Sequence, residues 1–308
     1  MFQLYKQRDF NEMLNDTVGF FKSSWKNYFT NFIVITGAML LVLCLIFFFI
    51  FRDLFASLIS GKNNYDFSTY FQDNMVSLII LFAIAVIVTV FFSIACMTYP
   101  VVYLQLMGET GRSSFTANEL FNRMKPQIGR VLWFSLLAFL ILFPLLIVAT
   151  AISIVAIFLV VGIFLIIMLM PIYMVWTMQS FFVYMNEGKG FFKSLAGGWN
   201  ILFCKRFWHI IGATFVVYIV IYIIQMIFSM IPYSFMMVSL LNTGETGNFD
   251  SSGIQFLLIA IYIISMVTSY LFTNFLMITQ GLIYYSSVEQ EQHTQVFSEI
   301  DTIGQHAE

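Results

Sequence analysis

Six polar residues recur through the last apolar run of this sequence: Ser265, Thr268, Ser269, Thr273, Thr279 and Gln280. On a helix they fall within an arc of about 140°, with Asn274 opposite. A narrower stripe, Thr89, Ser93, Cys96, Pro100 and Tyr103, marks the second apolar run. Hydroxyls and amides without charge can line a path for a neutral solute or a lipid, and they can equally join helices by hydrogen bonds. Thr89, Ser93, Tyr103, Ser265, Ser269, Thr273 and Gln280 are therefore the candidate face, serving either as a cavity between spans two and six or as a packing surface. Gln225 and Gln280 are both placed to bond across helices.

The chemistry that is missing narrows the function further. Charges at membrane depth mark ion pathways and proton relays, and here only Arg52, Asp53 and His209 come near the ends of a span. Ion-coupled transport is not expected. Cys44, Cys96 and Cys204 have neither metal-ligand nor disulfide spacing. His293 and His306 lack companion ligands. The sequence contains no Walker loop, HExxH, GxSxG or GxGxxG, and its hydrophilic loops are short. No enzyme activity, cofactor, metal site or nucleic-acid partner is expected.

The elements that position these residues follow from composition. Of 308 residues 60% are apolar and 10% charged, against roughly 45 to 50% and about 25% in soluble domains. Runs able to cross a bilayer, which takes about 20 helical residues, occupy 31–51, 75–107, 131–185, 208–241 and 254–285. The third is long enough for two spans, giving six transmembrane helices. Its internal break is expected at Thr150–Ser153, with Val160–Gly162 as the alternative. Pro144 and Pro171 are expected as kinks. The N-terminal segment MFQLYKQRDFNEMLND lacks the apolar run of a cleavable signal peptide.

Twelve of the fourteen basic residues fall on the side of the N-terminus, and two, Arg52 and Lys62, on the other. By the positive-inside rule both termini are cytoplasmic. The tail over 291–308 is acidic and carries no Lys or Arg, which suits water or a protein partner better than an anionic leaflet.

Each pair of spans is preceded by an amphipathic pattern. Before span one, Phe10, Met13, Leu14, Thr17, Phe21, Ser24, Trp25, Tyr28 and Phe32 share a face opposite Glu12, Asn15, Asp16, Lys22 and Lys26. Before span three, Leu120, Phe121 and Met124 oppose Asn118, Glu119, Asn122, Arg123 and Lys125, with Pro126 ending or kinking the helix. Before span five, Phe191, Phe192, Leu195, Ala196, Trp199, Leu202 and Phe203 oppose Lys193, Gly197 and Asn200. Trp25, Lys26, Arg123, Lys125, Trp199, Lys205 and Arg206 are the expected interfacial anchors.

The even-numbered spans also end alike, in MGETG, MNEGKG and SVEQEQ, with Glu109, Glu187 and Glu289 as the first carboxylates. The predicted architecture is an all-α integral membrane protein: three transmembrane hairpins, each preceded by a cytoplasmic interfacial helix. These form a single polytopic domain over 1–290, with repeat units at about 9–112, 113–189 and 190–290. The pentapeptide GFFKS occurs at Gly19–Ser23 and Gly190–Ser194, but the two copies are out of register with their helices, so the repeat lies in the layout.

The segments RDFNEMLNDTVGFFKSSWKNYF and GFFKSLAGGWNILFCKRFWHIIGA resemble the entry segments of a bacterial group of six-span proteins. That group is named for the membrane domain of glycerophosphoryl diester phosphodiesterases. The closing IYYSSVEQEQHTQVFSEIDTIG is similar to tails of such proteins in Bacteroidota. The resemblance implies a six-span fold and no activity, because the diesterase chemistry of the namesake belongs to a separate soluble domain. The expectation is a non-enzymatic scaffold or complex subunit of the bacterial inner membrane, contacting lipids and, through its cytoplasmic helices and acidic tail, membrane-protein partners. The alternative is a lipid-handling or neutral-solute transporter.

Overall fold

Within hydrocarbon a backbone N–H or C=O has no water to bond, so an apolar chain must satisfy these groups internally, and a helix does so locally. The computed structural model describes residues 2–59, 67–159, 161–204, 206–246 and 251–292, and among them all regular structure is helical. The helices are α1 (Phe10–Ile59), α2 (Phe67–Thr110), α3 (Ala117–Met124), α4 (Ile128–Val155), α5 (Val161–Glu187), α6 (Phe191–Leu202), α7 (Phe207–Thr246) and α8 (Ser251–Gln292). Six stretches, within α1, α2, α3 to α4, α5, α7 and α8, are long and apolar enough to cross a membrane. The chain is an all-α, multi-pass membrane protein.

The long apolar run does not break at Thr150–Ser153, which lies inside α4. Thr150 and Ser153 donate to the carbonyls of Leu146 and Ala149 at 2.8 Å, so these hydroxyls are satisfied by the preceding turn of their own helix. The turn is a 3-10 stretch at Ala156–Leu159, and α5 starts at Val161. Gly162 is what permits it, because a side chain there would run into the Ser153 carbonyl and the Ile157 amide. Pro144 and Pro171 lie within α4 and α5 without ending them.

The three entry segments differ. Residues Phe10–Thr30 form the start of α1 and continue without interruption into the first span, because no proline or capping sequence intervenes. Before the second hairpin, α3 opens with a capping box between Thr116 and Glu119, and the 3-10 turn carrying Pro126 leads into α4. Before the third, α6 ends at Leu202 and α7 begins at Phe207.

The described chain divides into two units. One holds the N-terminal segment, α3 to α6 and the stretches of α1 to Phe32, α2 from Met97, α7 to Ile219 and α8 from Asn274. In this unit residues 98–104 of α2, 179–185 of α5 and 276–287 of α8 are buried at every position, the mark of helices surrounded on all sides. By contrast α4 buries only Val131, Phe134, Leu142 and Ser153 and exposes Leu136, Phe139, Leu140 and Phe143 along its length, as a helix facing lipid does.

Two glycines set these contacts. A side chain at Gly281 of α8 would overlap Leu104 of α2 and meet Phe182 of α5 at 3.1 Å. At Gly198 of α6 it would overlap Ser180 of α5. Small residues of this kind let helices approach closely where the surrounding solvent is itself apolar. The other unit, Ile33–Cys96 and Val220–Thr273, joins its helices through rings: Tyr262 of α8 lies 4.4 Å from Phe51 of α1, and Tyr270 lies 4.5 Å from Phe92 of α2.

Gly281→Val or Gly198→Val should lower stability by about 2 kcal/mol or more through overpacking. Gly19→Ala, where an added methyl meets nothing within 4 Å, should raise it by about 0.5–1 kcal/mol. Thermal unfolding of the purified variants in detergent measures both.

Candidate functional site

The polar residues expected on one face fall in both units. Thr89, Ser93, Ser265, Ser269 and Thr273 lie in the unit built from 33–96 and 220–273, and Tyr103 and Gln280 in the other. Ser93 hydrogen-bonds Tyr270 across α2 and α8, whereas Thr273 donates back to the Ser269 carbonyl of its own helix. Tyr103 donates to the Ser113 carbonyl at 2.8 Å.

Gln280 joins three helices. Gln179 of α5 donates from Nε2 to the Gln280 carbonyl at 3.0 Å and to its Oε1 at 2.9 Å. The Gln280 Nε2 donates to Thr214 Oγ1 of α7 at 2.8 Å, and that hydroxyl donates to the Ile210 carbonyl. All three side chains are fully buried. A second buried set ties α1 to α2 and α8: Tyr28 donates to Asn274 Oδ1 at 2.8 Å, and Tyr99 to the Tyr28 carbonyl at 2.6 Å.

A polar cleft lies at the ends of the buried helices. It has a volume of about 540 Å³ and is bounded by Gln105 and Glu109 of α2, Arg123 of α3, Gln127, Arg130 of α4, Asn186 of α5, Tyr284 and Tyr285 of α8, and Tyr5. Residues of the three similar span endings line it: Gly108 and Glu109, Met185 and Asn186, and Val288. Gly111 and Gly188 both take φ of +66°, the left-handed conformation in which a helix stops and which glycine adopts without strain. Gly111 donates to the Met107 carbonyl at 2.9 Å as it closes α2. Glu109 and Glu187 are thereby held at the last turns of α2 and α5, where Glu109 pairs with Arg123 at 2.5 Å and Glu187 with Lys189.

Amides and phenols line the wall. Gln105 Nε2 donates to the Met185 carbonyl at 3.3 Å, leaving its oxygen to accept from Gln127 Nε2 at 3.2 Å. That relay fixes the orientation of Gln127, whose Oε1 is buried without a donor. Tyr285 donates to Asn186 Oδ1 and Tyr284 to Glu187. Arg130 donates to the Tyr184 carbonyl at 2.8 Å and lies 5.0 Å from that ring. Burial, followed by the charges of Glu109 and Glu289, pushes the Tyr5 phenol above its ordinary value of 10.0, so it remains a neutral donor.

Tyr5 is held in the wall by Arg8. This arginine is wholly buried and donates to the carbonyls of Gln3, Leu4 and Lys6 and to Asp16. Its backbone N–H bonds Ser286, and Arg206 reaches both the Arg8 carbonyl and Ser286 Oγ. Residues 2–9 are thus fastened across the end of α8.

The expected anchors take several roles. Trp25, Lys26 and Lys125 are exposed, and Trp199 is half exposed with its ring 5.3 Å from Trp176. Arg123 lines the cleft and Arg206 is engaged by the N-terminal segment, while Lys205 lies outside the described residues. Sequence reading missed Tyr5, Gln105, Gln127, Arg130, Asn186, Tyr284 and Tyr285 as a group. The signal that could have found them was the likeness of the three span endings.

The chain matches no family model, no curated protein and no solved structure.

Gln280→Leu removes the Oε1 acceptor of Gln179 and the donor to Thr214 Oγ1, leaving only their bonds to the backbone carbonyls of residue 280 and Ile210, and should cost about 1–3 kcal/mol. Replacing Gln179 and Gln280 together by Leu should cost less than the sum of the single changes, because the paired groups leave together. A double-mutant cycle of unfolding midpoints reads the difference.

Proposed function

We propose that the protein is a non-enzymatic scaffold or subunit of a bacterial inner-membrane protein complex. Both termini are cytoplasmic, and the cytoplasmic face makes the contacts. The observation that carries this reading is the buried polar set centred on α8, whose Gln280 and Asn274 bond Gln179 of α5, Thr214 of α7 and Tyr28 of α1 across helices. Such a core holds its neighbours in fixed places and keeps no ionisable pair for chemistry at mid-span.

Around this core α3 exposes Asn118, Glu119 and Asn122, and α6 exposes Phe192 and Trp199, with Phe203 exposed directly after it. The aromatic face of α6 suits the headgroup boundary, and the polar face of α3 suits a protein partner. The likeness of the entry segments to the glycerophosphoryl diester phosphodiesterase membrane-domain group agrees with a membrane role and brings no activity with it.

Gentle detergent extraction with mass measurement of the intact assembly tests this. The expected result is a stoichiometric complex that dissociates in the Asn118→Arg/Asn122→Arg variant. A lone chain, or a complex indifferent to that change, overturns the reading.

Lipid handling is the second reading, favoured by an apolar crevice of about 170 Å³ lined by Met97, Phe134, Ala138, Thr177, Phe181 and Met277. Its lining is suited to a hydrocarbon segment, with Ser135 and Thr177 as its hydroxyl-bearing residues. Filling it with Ala138→Phe should reduce co-purified lipid, measured by mass spectrometry of the extracted protein, if the crevice holds an acyl chain. Unchanged lipid content counts against this reading.

A further inference from the structure

The cleft at the ends of α2, α5 and α8 combines features that favour one ligand chemistry. It carries both signs of charge, with Glu109 facing Arg123 and with Arg130 alongside. A simple anion would meet Glu109 with Glu187 and Glu289 close by, since Glu187 bonds Tyr284 of the wall and Glu289 acts on Tyr5. A simple cation would meet two guanidinium groups. A ligand bearing both charges a few ångströms apart satisfies the two sets together.

The cationic end is further specified. The last turns of α2 and α5 both end at the cleft, and helix C-termini carry partial negative charge that favours cations. Gln127 Oε1 is an acceptor with no donor. A primary ammonium can donate to it; a quaternary ammonium has no N–H to offer. The anionic end has Arg130, which spends one nitrogen on the Tyr184 carbonyl and retains donors suited to phosphate.

Depth agrees with a lipid-borne ligand. Trp133, exposed on α4, follows Arg130 by three residues, roughly 4.5 Å of helix rise. Exposed tryptophans of membrane proteins sit at the headgroup boundary, which puts the cleft in the headgroup layer. Its volume of about 540 Å³ is within the usual range for small-ligand sites.

We propose that this cleft binds a phosphoethanolamine group. The phosphodiester lies against Arg130 and Arg123, and the primary ammonium against Glu109 and Gln127. The inference is independent of whether the protein has a protein partner.

Binding of short-chain phospholipids with ethanolamine, choline or glycerol headgroups to the full chain in detergent, followed by native mass spectrometry, tests the site. Free phosphoethanolamine serves as a separate arm. The ethanolamine lipid should bind about tenfold more tightly than the other two. Gln127→Leu should remove that preference, whereas Arg130→Gln should weaken all three lipids alike, because the phosphodiester is common to them. Arg123→Gln, at an exposed rim position, should weaken ethanolamine-lipid binding in a chain that still folds. Free phosphoethanolamine binding as tightly as the lipid would identify a soluble zwitterion as the ligand, and much weaker binding would identify the lipid. Equal affinity for all three headgroups, a preference untouched by Gln127→Leu, or affinities untouched by Arg123→Gln and Arg130→Gln overturn the proposal.

Discussion

In lipid, apolar side chains gain little by leaving hydrocarbon for other hydrocarbon, so helices are held together by close packing and by polar groups that have nowhere else to bond. This constraint explains the buried set of α2, α5 and α8. Gly281 lets α8 approach Leu104 and Phe182. Only at that distance does the neighbouring Gln280 reach Gln179 on one side and Thr214 on the other. The glycine and the glutamine work as a unit: the first permits the approach, and the second makes separation costly by leaving buried amides without partners. Gly198 against Ser180 extends the same contact outward to α6.

The constraint also explains where charge is found. In the described spans Gln179, Gln280, Thr214, Tyr28 and Asn274 bond across helices, other hydroxyls bond back to their own helix, and ion pairs are found at the helix ends. There the chain still has carbonyls to satisfy, because each helix leaves its last four without an internal partner. The left-handed glycines Gly111 and Gly188 close two such ends. Gln105 and Arg130 bond the carbonyls of Met185 and Tyr184 near the end of α5. At α8 it is the N-terminal segment, braced internally by Arg8, that comes to Ser286. The cleft is bounded by residues serving these caps, so its shape is tied to the packing of the helices beneath it.

The six spans were legible because about 20 consecutive apolar residues have few other uses. The break between α4 and α5 was misplaced because a hydroxyl pair reads as a turn in sequence, although Thr150 and Ser153 bond back to their own helix. The alternative at Val160–Gly162 lies nearer the turn, and the reason Gly162 is needed, close backbone approach to Ser153 and Ile157, is visible only once both segments are placed. The first entry segment shows a related limit: its polar pattern matches the other two, but without a proline like Pro126 it remains part of α1. A helical wheel orders residues on one helix and is silent about which neighbour covers them. Gln280 was recognised as a residue able to bond across helices, while Gln179, its partner, went unnoticed.

The cleft was present in the sequence in disguised form. The endings MGETG, MNEGKG and SVEQEQ read as a sign of repetition, each with a glutamate as its third residue. Their meaning is spatial: α2, α5 and α8 all run toward the same end, so three like endings bring three carboxylates into the neighbourhood of one space. Like charges so gathered require compensation, and Arg123 and Lys189 supply it by direct pairing. Likeness of three endings along the chain thus becomes proximity in space, at the ends of α2, α5 and α8.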